Sequence, residues 1–308
     1  IYTIGEHAFR NCVSIKEITL PETLTSIAAN AFEGCTGLEK ITILCDPSIL
    51  PAGLLDSCTA LREVSAGENA TDEQKAALEK ALFGKEIVIT GVNIGDFGKT
   101  TGESFFDLVK ALDVVEGIER YRISSIEPNL LTEEMIDWIT SGTKFLPHYH
   151  IPLQSGSDTI LKEMGRRYDT AAFAHKIDYI RSRTEVAGGP KVFFGIDVIV
   201  GFPGETDELF METYNFLKDV VKPAFIHIFP YSRRAGTPAA SRKDQVQDCV
   251  KTKRVQMLEA LCDELHREFI DSNKGVAEKV LFESTDRNGM MEGYTGNYIR
   301  VSREYDPE

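Results

Sequence analysis

The amino-terminal 67 residues repeat with a period of 23, and this constrains their fold more than any other feature of the chain. Ile4 aligns with Ile27 and Leu50, Phe9 with Phe32 and Leu55, Cys12 with Cys35 and Cys58. Ile15 keeps phase with Leu38 and Leu61, and Ile18 with Ile41 and Val64, without a gap. Each copy carries a short alternating segment, Ile18–Leu20 and then Ile41–Ile43, that reads as a strand followed by a turn. One such unit cannot bury its apolar side by itself, so successive copies must stack into a solenoid with a shared core. Three cysteines at one repeat position would form a column. With no histidine or second cysteine placed to complete a tetrahedral site, they read as buried ladder residues and not as metal ligands.

Beyond the repeat, Thr71 followed by DEQKAALEKALFG predicts a helix that Thr71 caps and Gly84 stops. From Glu86 onward short apolar strands alternate with helical stretches. Strands are expected at 86–90, 122–125, 148–153, 192–200 and 225–230, with helices at 104–115, 132–140, 171–183 and 205–220. That alternation predicts an α/β fold built on a parallel sheet, either open or closed as a barrel. Ligands in such folds sit beyond the carboxyl ends of the strands. Each predicted strand ends there in glycines and small polar residues: Gly91–Gly98, Ser124–Pro128, Gln154–Asp158, Asp197–Thr206 and Tyr231–Pro238. His148 and His150 alternate on one strand and so share a face. No third ligand is close in sequence, so they are expected to pack and not to hold a metal; no metal ligand is assigned.

A net charge of −14 argues against a protein that coats nucleic acid through bulk electrostatics. The charge is uneven, however. Between Arg233 and Arg254 seven basic residues face only Asp244 and Asp248, so Arg233, Arg234, Lys251, Lys253 and Arg254 are candidates for RNA contact. A solvated helix face is the alternative. The chain contains no run of about 18 uncharged apolar residues, so no membrane-spanning segment is expected.

The wording of these segments carries a resemblance. GEHAFRNCVSIKEITLPETLTSI resembles the BspA-like leucine-rich repeat, an interaction scaffold, which implies a protein partner for residues 1–67. EIVITGVNIGDFG, RISSIEPN, PHYHIPLQSGSDTILKEMGRRYDT, GIDVIVGFPGETDE and HIFPYSRRAGTPAA resemble the radical-SAM tRNA methylthiotransferases. The likeness is strongest to the MtaB type, which acts on threonylcarbamoyladenosine beside the anticodon. It covers about residues 86–301. It implies a partial TIM-like (βα) barrel at 86–275, joined to the repeats by a helical junction at 68–85. The segment from Gly275 (VAEKVLFESTDRNGMMEGYTGNYIRV) resembles the start of a TRAM β-barrel, giving a partial domain at 276–308 that is expected to be incomplete. The likeness also implies S-adenosylmethionine as cofactor, tRNA as substrate, transferase chemistry and a cytoplasmic setting. Carried over residue by residue, the cofactor-lining candidates are Asn93, Ser125, Glu127, Gln154, Ser155, Arg166, Asp197, Ile199 and Gly201. Glu127 or Asp197 is suited to ribose hydroxyls, Arg166 to the methionine carboxylate, and Gly201 to admitting the ring.

The chain departs from the family in its cysteines. The family holds a [4Fe–4S] cluster on a C-x-x-x-C-x-x-C loop after the first barrel strand, with three further cysteines for a second cluster. Neither set is among Cys12, Cys35, Cys45, Cys58, Cys249 and Cys262. Because Fe–S clusters need thiolate ligands, the chain is expected to lack radical chemistry of its own. A non-catalytic repeat protein with the barrel as scaffold is the alternative, and no catalytic residue is assigned.

Overall fold

The computed structural model describes residues 1–46, 49–51, 54–55, 57–58, 60–61, 63–66, 86–90, 94, 97–98, 100–115, 118–282 and 289–304. The helix expected from Thr71 lies outside them. The chain divides into two compact units, Ile1–Ile87 with Val115–Glu119, and Val88–Val114 with Arg120–Glu308.

In the first unit the repeat period becomes the strand register. β1 (Thr3–Ile4) pairs in parallel with β3 (Ser26–Ile27), while β2 (Glu17–Leu20), β4 (Lys40–Ile43) and β5 (Glu63–Ala66) form a parallel sheet in that order. Ile18 sits opposite Ile41, and Ile41 opposite Val64. Side chains keep the same offset: Lys16 pairs with Glu39 at 2.7 Å, and the Thr42 and Ser65 hydroxyls lie 3.3 Å apart. Phe9 stacks on Phe32 with ring centroids 5.1 Å apart. Leu20, Leu38, Ile41, Cys35 and Cys58 are buried in the core shared between copies. The cysteine column is therefore a packing feature, with the Cys35 thiol donating to the Phe9 carbonyl at 2.9 Å.

The second unit is built on a five-stranded sheet. Its strands are β6 (Glu86–Ile89), β7 (Arg120–Ser125), β8 (Phe145–Gln154), β9 (Phe193–Val200) and β10 (Phe225–Pro230), in the spatial order β10-β9-β8-β7-β6. β7 through β10 run parallel. Between them come α1 (Phe105–Asp113), α2 (Glu133–Ile139), α3 (Asp158–Glu163), α4 (Thr170–Thr184) and α5 (Asp207–Asn215). Side chains that satisfy orphan amide groups set the starts of these helices. Ser104 and Asp107 form a reciprocal capping box on α1, Thr132 caps α2, Asp169 caps α4 and Thr206 caps α5. The helix expected across 205–220 is two elements: α5 runs into a π-helical segment, Phe216–Val221, that ends where Lys222 takes a φ of 44°. The expected strand 148–153 is also longer in the structure, since β8 continues through Pro147, which lacks the amide that usually carries a central strand. The pairing register with β7 shifts along this stretch.

The two faces of the sheet differ in chemistry. Tyr121, Ile123, Tyr149, Ile151, Phe194, Ile196, Val198 and Ile226 are buried on one face. The alternate positions carry Arg122, Ser124, His148, His150, Gly195, Asp197 and His227. Parallel strands covered on both faces read as continuous apolar runs. The alternation here marks a face that lines polar space. After α6 (Pro238–Ser241), the long α7 (Asp248–Ser272) buries Leu258, Leu261, Cys262 and Leu265. The Cys262 sulfur accepts the Ile226 amide of β10 at 3.2 Å. Last come β11 (Val280–Phe282), β12 (Met290–Thr295) and β13 (Arg300–Glu304), an antiparallel sheet. The buried Arg122 guanidinium donates to the Thr295 and Gly296 carbonyls, each at 2.8 Å, and so ties this sheet to β7.

Candidate cofactor site

A cavity of about 870 Å³ opens beyond the carboxyl ends of β8, β9 and β10, within the range of roughly 300–1,000 Å³ typical of ligand pockets. Gln154, Arg166, Asp197 and Ile199 line it, joined by Phe202 and Tyr231. Gln154 ends β8 with a φ of 70°, a left-handed conformation that costs a non-glycine residue energy. The register shifts between Pro152 and Gln154. Tyr168 holds this irregularity in place: its hydroxyl donates to the Pro152 and Leu153 carbonyls at 2.8 and 3.1 Å. Among the described residues, Arg166 Nε and the Tyr231 hydroxyl are buried without a hydrogen-bond partner. Buried polar atoms are nearly always paired, so two orphans on one cavity wall point to a polar occupant. Phe202 and Tyr231 meet edge to face at 5.4 Å and supply an apolar wall.

The other candidates fall elsewhere. Asn93 lies outside the described residues. Glu127 pairs with Arg166 at 3.6 Å, so it positions a lining residue without lining the cavity itself. Ser125, at the end of β7, is paired in register with His150 and is not a lining residue. Ser155 is fully buried. Its hydroxyl lies 3.1 Å from that of Thr213, which also accepts the Gly156 amide at 3.0 Å, so this turn packs on α5. Gly201 is a turn residue with φ 75°, its amide donating to Glu205 at 2.6 Å. A Cβ there would meet the Lys251 side chain at 2.4 Å.

The basic candidates also separate. Arg254 is 4% exposed and pairs with Glu205 at 2.7 Å and Asp207 at 2.8 Å, which removes it from any RNA-facing surface. Lys251 donates to the Tyr231 carbonyl and to Asp248. Arg233 donates to Gln245, and Arg234 reaches the cavity. A run of charges in the sequence does not reveal which members point inward, because that depends on where α7 docks.

The cysteines do not form a cluster site. Cys35, Cys45 and Cys58 are buried among the repeats with Cys12 half-buried beside them, Cys262 is buried behind β10, and Cys249 is exposed on α7. The one set of three convergent histidine, cysteine or acidic ligands among the described residues contains no cysteine. Among the described residues the thiols supply no convergent set of three cluster ligands. Sequence spacing alone missed two other groups, Tyr168 and the orphaned Tyr231. Both lie in segments quoted above, but nothing in a linear pattern marks a hydroxyl as propping a strand end.

A parallel α/β sheet with its cavity at the strand carboxyl ends is the arrangement of a (βα) barrel-type domain. The chain belongs to the radical SAM superfamily, whose family model matches residues 62–217. The model described as BspA type leucine rich repeat region matches residues 1–112. Among curated relatives, the threonylcarbamoyladenosine tRNA methylthiotransferase MtaB of Bacillus subtilis (strain 168) is 43% identical over 70% of this chain and 48% of its own length. The protein of the same name in Aquifex aeolicus (strain VF5) is 37% identical over 71% of this chain and 51% of its own. A tRNA-2-methylthio-N(6)-dimethylallyladenosine synthase of Clostridium botulinum (strain Loch Maree / Type A3) is 37% identical over 72% and 48%. The chain thus spans about half the length of the curated relatives it matches. No helix among the described residues is long and apolar enough to cross a membrane.

Proposed function

We propose that the second unit binds S-adenosylmethionine at the strand-end cavity and is the cofactor-binding part of a tRNA methylthiotransferase acting on threonylcarbamoyladenosine. We also propose that methylthio transfer needs cluster ligands from outside this chain. The observation that carries the binding reading is the convergence on one cavity wall of a strained Gln154, a guanidinium with an unpaired Nε at Arg166, and the Asp197 carboxylate. Arg166, oriented by Glu127, matches the carboxylate of an amino-acid tail. Asp197 can accept from ribose hydroxyls, and Phe202 with Tyr231 offers the flat apolar wall a purine requires. Bound there, S-adenosylmethionine supplies the methyl group and, in this superfamily, the radical precursor. The placement of the thiols supports the cluster reading. For tRNA contact, Arg233, Arg234 and Lys253 remain after Arg254 and Lys251 are withdrawn into the fold.

Calorimetric titration tests the binding. Saturable 1:1 binding of S-adenosylmethionine is expected, weakened about 10- to 100-fold in Arg166→Ala by loss of a charge-assisted hydrogen bond. No measurable binding would overturn the reading. Anaerobic reconstitution tests the second part: the chain is expected to retain no near-stoichiometric iron–sulfur chromophore. A stoichiometric cluster with cleavage of S-adenosylmethionine would show the cluster reading to be wrong.

A further inference from the structure

The polar face of the sheet holds a cluster that shares only Asp197 with the cofactor cavity. His150 on β8, Asp197 on β9 and His227 on β10 come from three neighbouring strands, and one ligand atom from each lies within 4.8 Å of the other two. His150 Nε2 and Asp197 Oδ1 are 2.5 Å apart, with side chains only 21% and 16% exposed. The strand register creates this arrangement. His227 sits directly opposite Asp197, and His150 lies diagonally across from it, opposite Gly195. The His150 and His227 rings stack with centroids 4.5 Å apart, and a Cβ on Gly195 would stand 3.7 Å from each ring. A second cavity of about 470 Å³, lined by both histidines, Arg122, His148 and Tyr298, gives access from solvent.

We propose that His150, Asp197 and His227 form a mononuclear divalent-metal site of two imidazoles and one carboxylate, for a cation of the zinc, iron(II) or cobalt(II) class. Two imidazoles and one carboxylate on a shared face are a donor set that such ions prefer, and they leave coordination positions open. The geometry needs only side-chain rotation. Metal–ligand bonds of about 2.0–2.2 Å put tetrahedral ligands about 3.3 Å apart. The His150–Asp197 contact must therefore open slightly while the widest separation closes, with the ion taking the place of the shared proton. Arg122, on the same face, donates to the Thr295 and Gly296 carbonyls and stacks on Tyr298.

Cobalt(II) titration of the metal-free full chain, followed by visible absorption, reads this out. One equivalent is expected to produce d–d bands of a nitrogen–oxygen site without the near-ultraviolet thiolate band that binding to cysteine would give. His227→Gln and His150→Gln should each weaken binding by more than about 100-fold, since even losing a group that only hydrogen-bonds a ligand costs about 10- to 100-fold. Gly195→Val should block the site while leaving all three ligands, and circular dichroism checks the fold of each variant. A thiolate-type spectrum, or unchanged affinity in His227→Gln and Gly195→Val, would overturn the proposal and leave a plain hydrogen-bonded His–Asp pair. His227 and Gly195 are not lining residues of the S-adenosylmethionine cavity. Their variants should keep the calorimetric signal for S-adenosylmethionine, so failure of one site is distinguishable from failure of the other.

Discussion

Arg254 and Glu205 form a nearly enclosed ion pair at 2.7 Å, their side chains 5% and 1% exposed. Burial pushes the Glu205 carboxyl above its usual 4.5, and the Gly201 amide and Arg254 work against that push. Removing the cation leaves an uncompensated buried carboxylate, so Arg254→Ala is expected to cost about 3–5 kcal/mol at neutral pH. Below about pH 4.5 the acid is protonated in both states and the penalty vanishes. As the pH rises, the cost of the substitution grows by about 1.4 kcal/mol per pH unit from where the wild-type carboxyl ionises to where the variant's more strongly raised one does. Urea unfolding of wild type and variant at pH 5 and 7 checks this: the difference should be larger at pH 7, and equal costs would sink the argument. At this scale the sequence misled in a specific way. Arg254 counts as one more charge in a basic run, and only the docking of α7 turns it inward.

β8 shows how an element can be partly legible. Its alternating face and its approximate position follow from the sequence pattern, because side-chain direction alternates along any strand. Its bulge and the left-handed Gln154 do not, since Tyr168 pins two carbonyls 16 and 15 residues away in the chain. The left-handed conformation costs an ordinary residue about 1–2 kcal/mol, while glycine adopts it freely. Gln154→Gly should therefore raise stability by up to about 1 kcal/mol, after the greater chain entropy of glycine is offset. It should also weaken S-adenosylmethionine binding. Parallel chemical denaturation and calorimetry read both, and a loss of stability would mean that Gln154 is held by contacts and not strained.

The repeat unit has a core of its own, drawn from residues between Ile4 and Cys58. Leu38 is fully buried at its centre. Leu38→Ala should lower the stability of that unit by about 2–5 kcal/mol through lost transfer energy and a residual cavity. S-adenosylmethionine affinity should be unchanged, because the cavity residues belong to the second unit. Hydrogen exchange resolved by segment, together with calorimetry, would show whether the loss stays in the repeats; a matching loss at the cofactor cavity would contradict this division.

Periodicity carried the solenoid, because a 23-residue repeat can only stack in its own register and Ile18 meets Ile41 as the spacing requires. The alternation of strands and helices carried the parallel sheet, and the cysteine spacing alone argued against a cluster. These are local properties, legible because backbone geometry is short-ranged. Which polar groups meet was decided only in three dimensions. Forty-seven residues separate His150 from Asp197, and His227 lies on a further strand, so no spacing rule joins them. Neighbouring positions on β8, β9 and β10 bring them onto one face, because strand register, set by the buried opposite face, chooses the partners. The same holds for Arg166, Gln154 and Asp197 at the strand ends. The family resemblance singled out each of them, Gln154 and Asp197 on strands and Arg166 between two helices, and tertiary packing made a cavity between them.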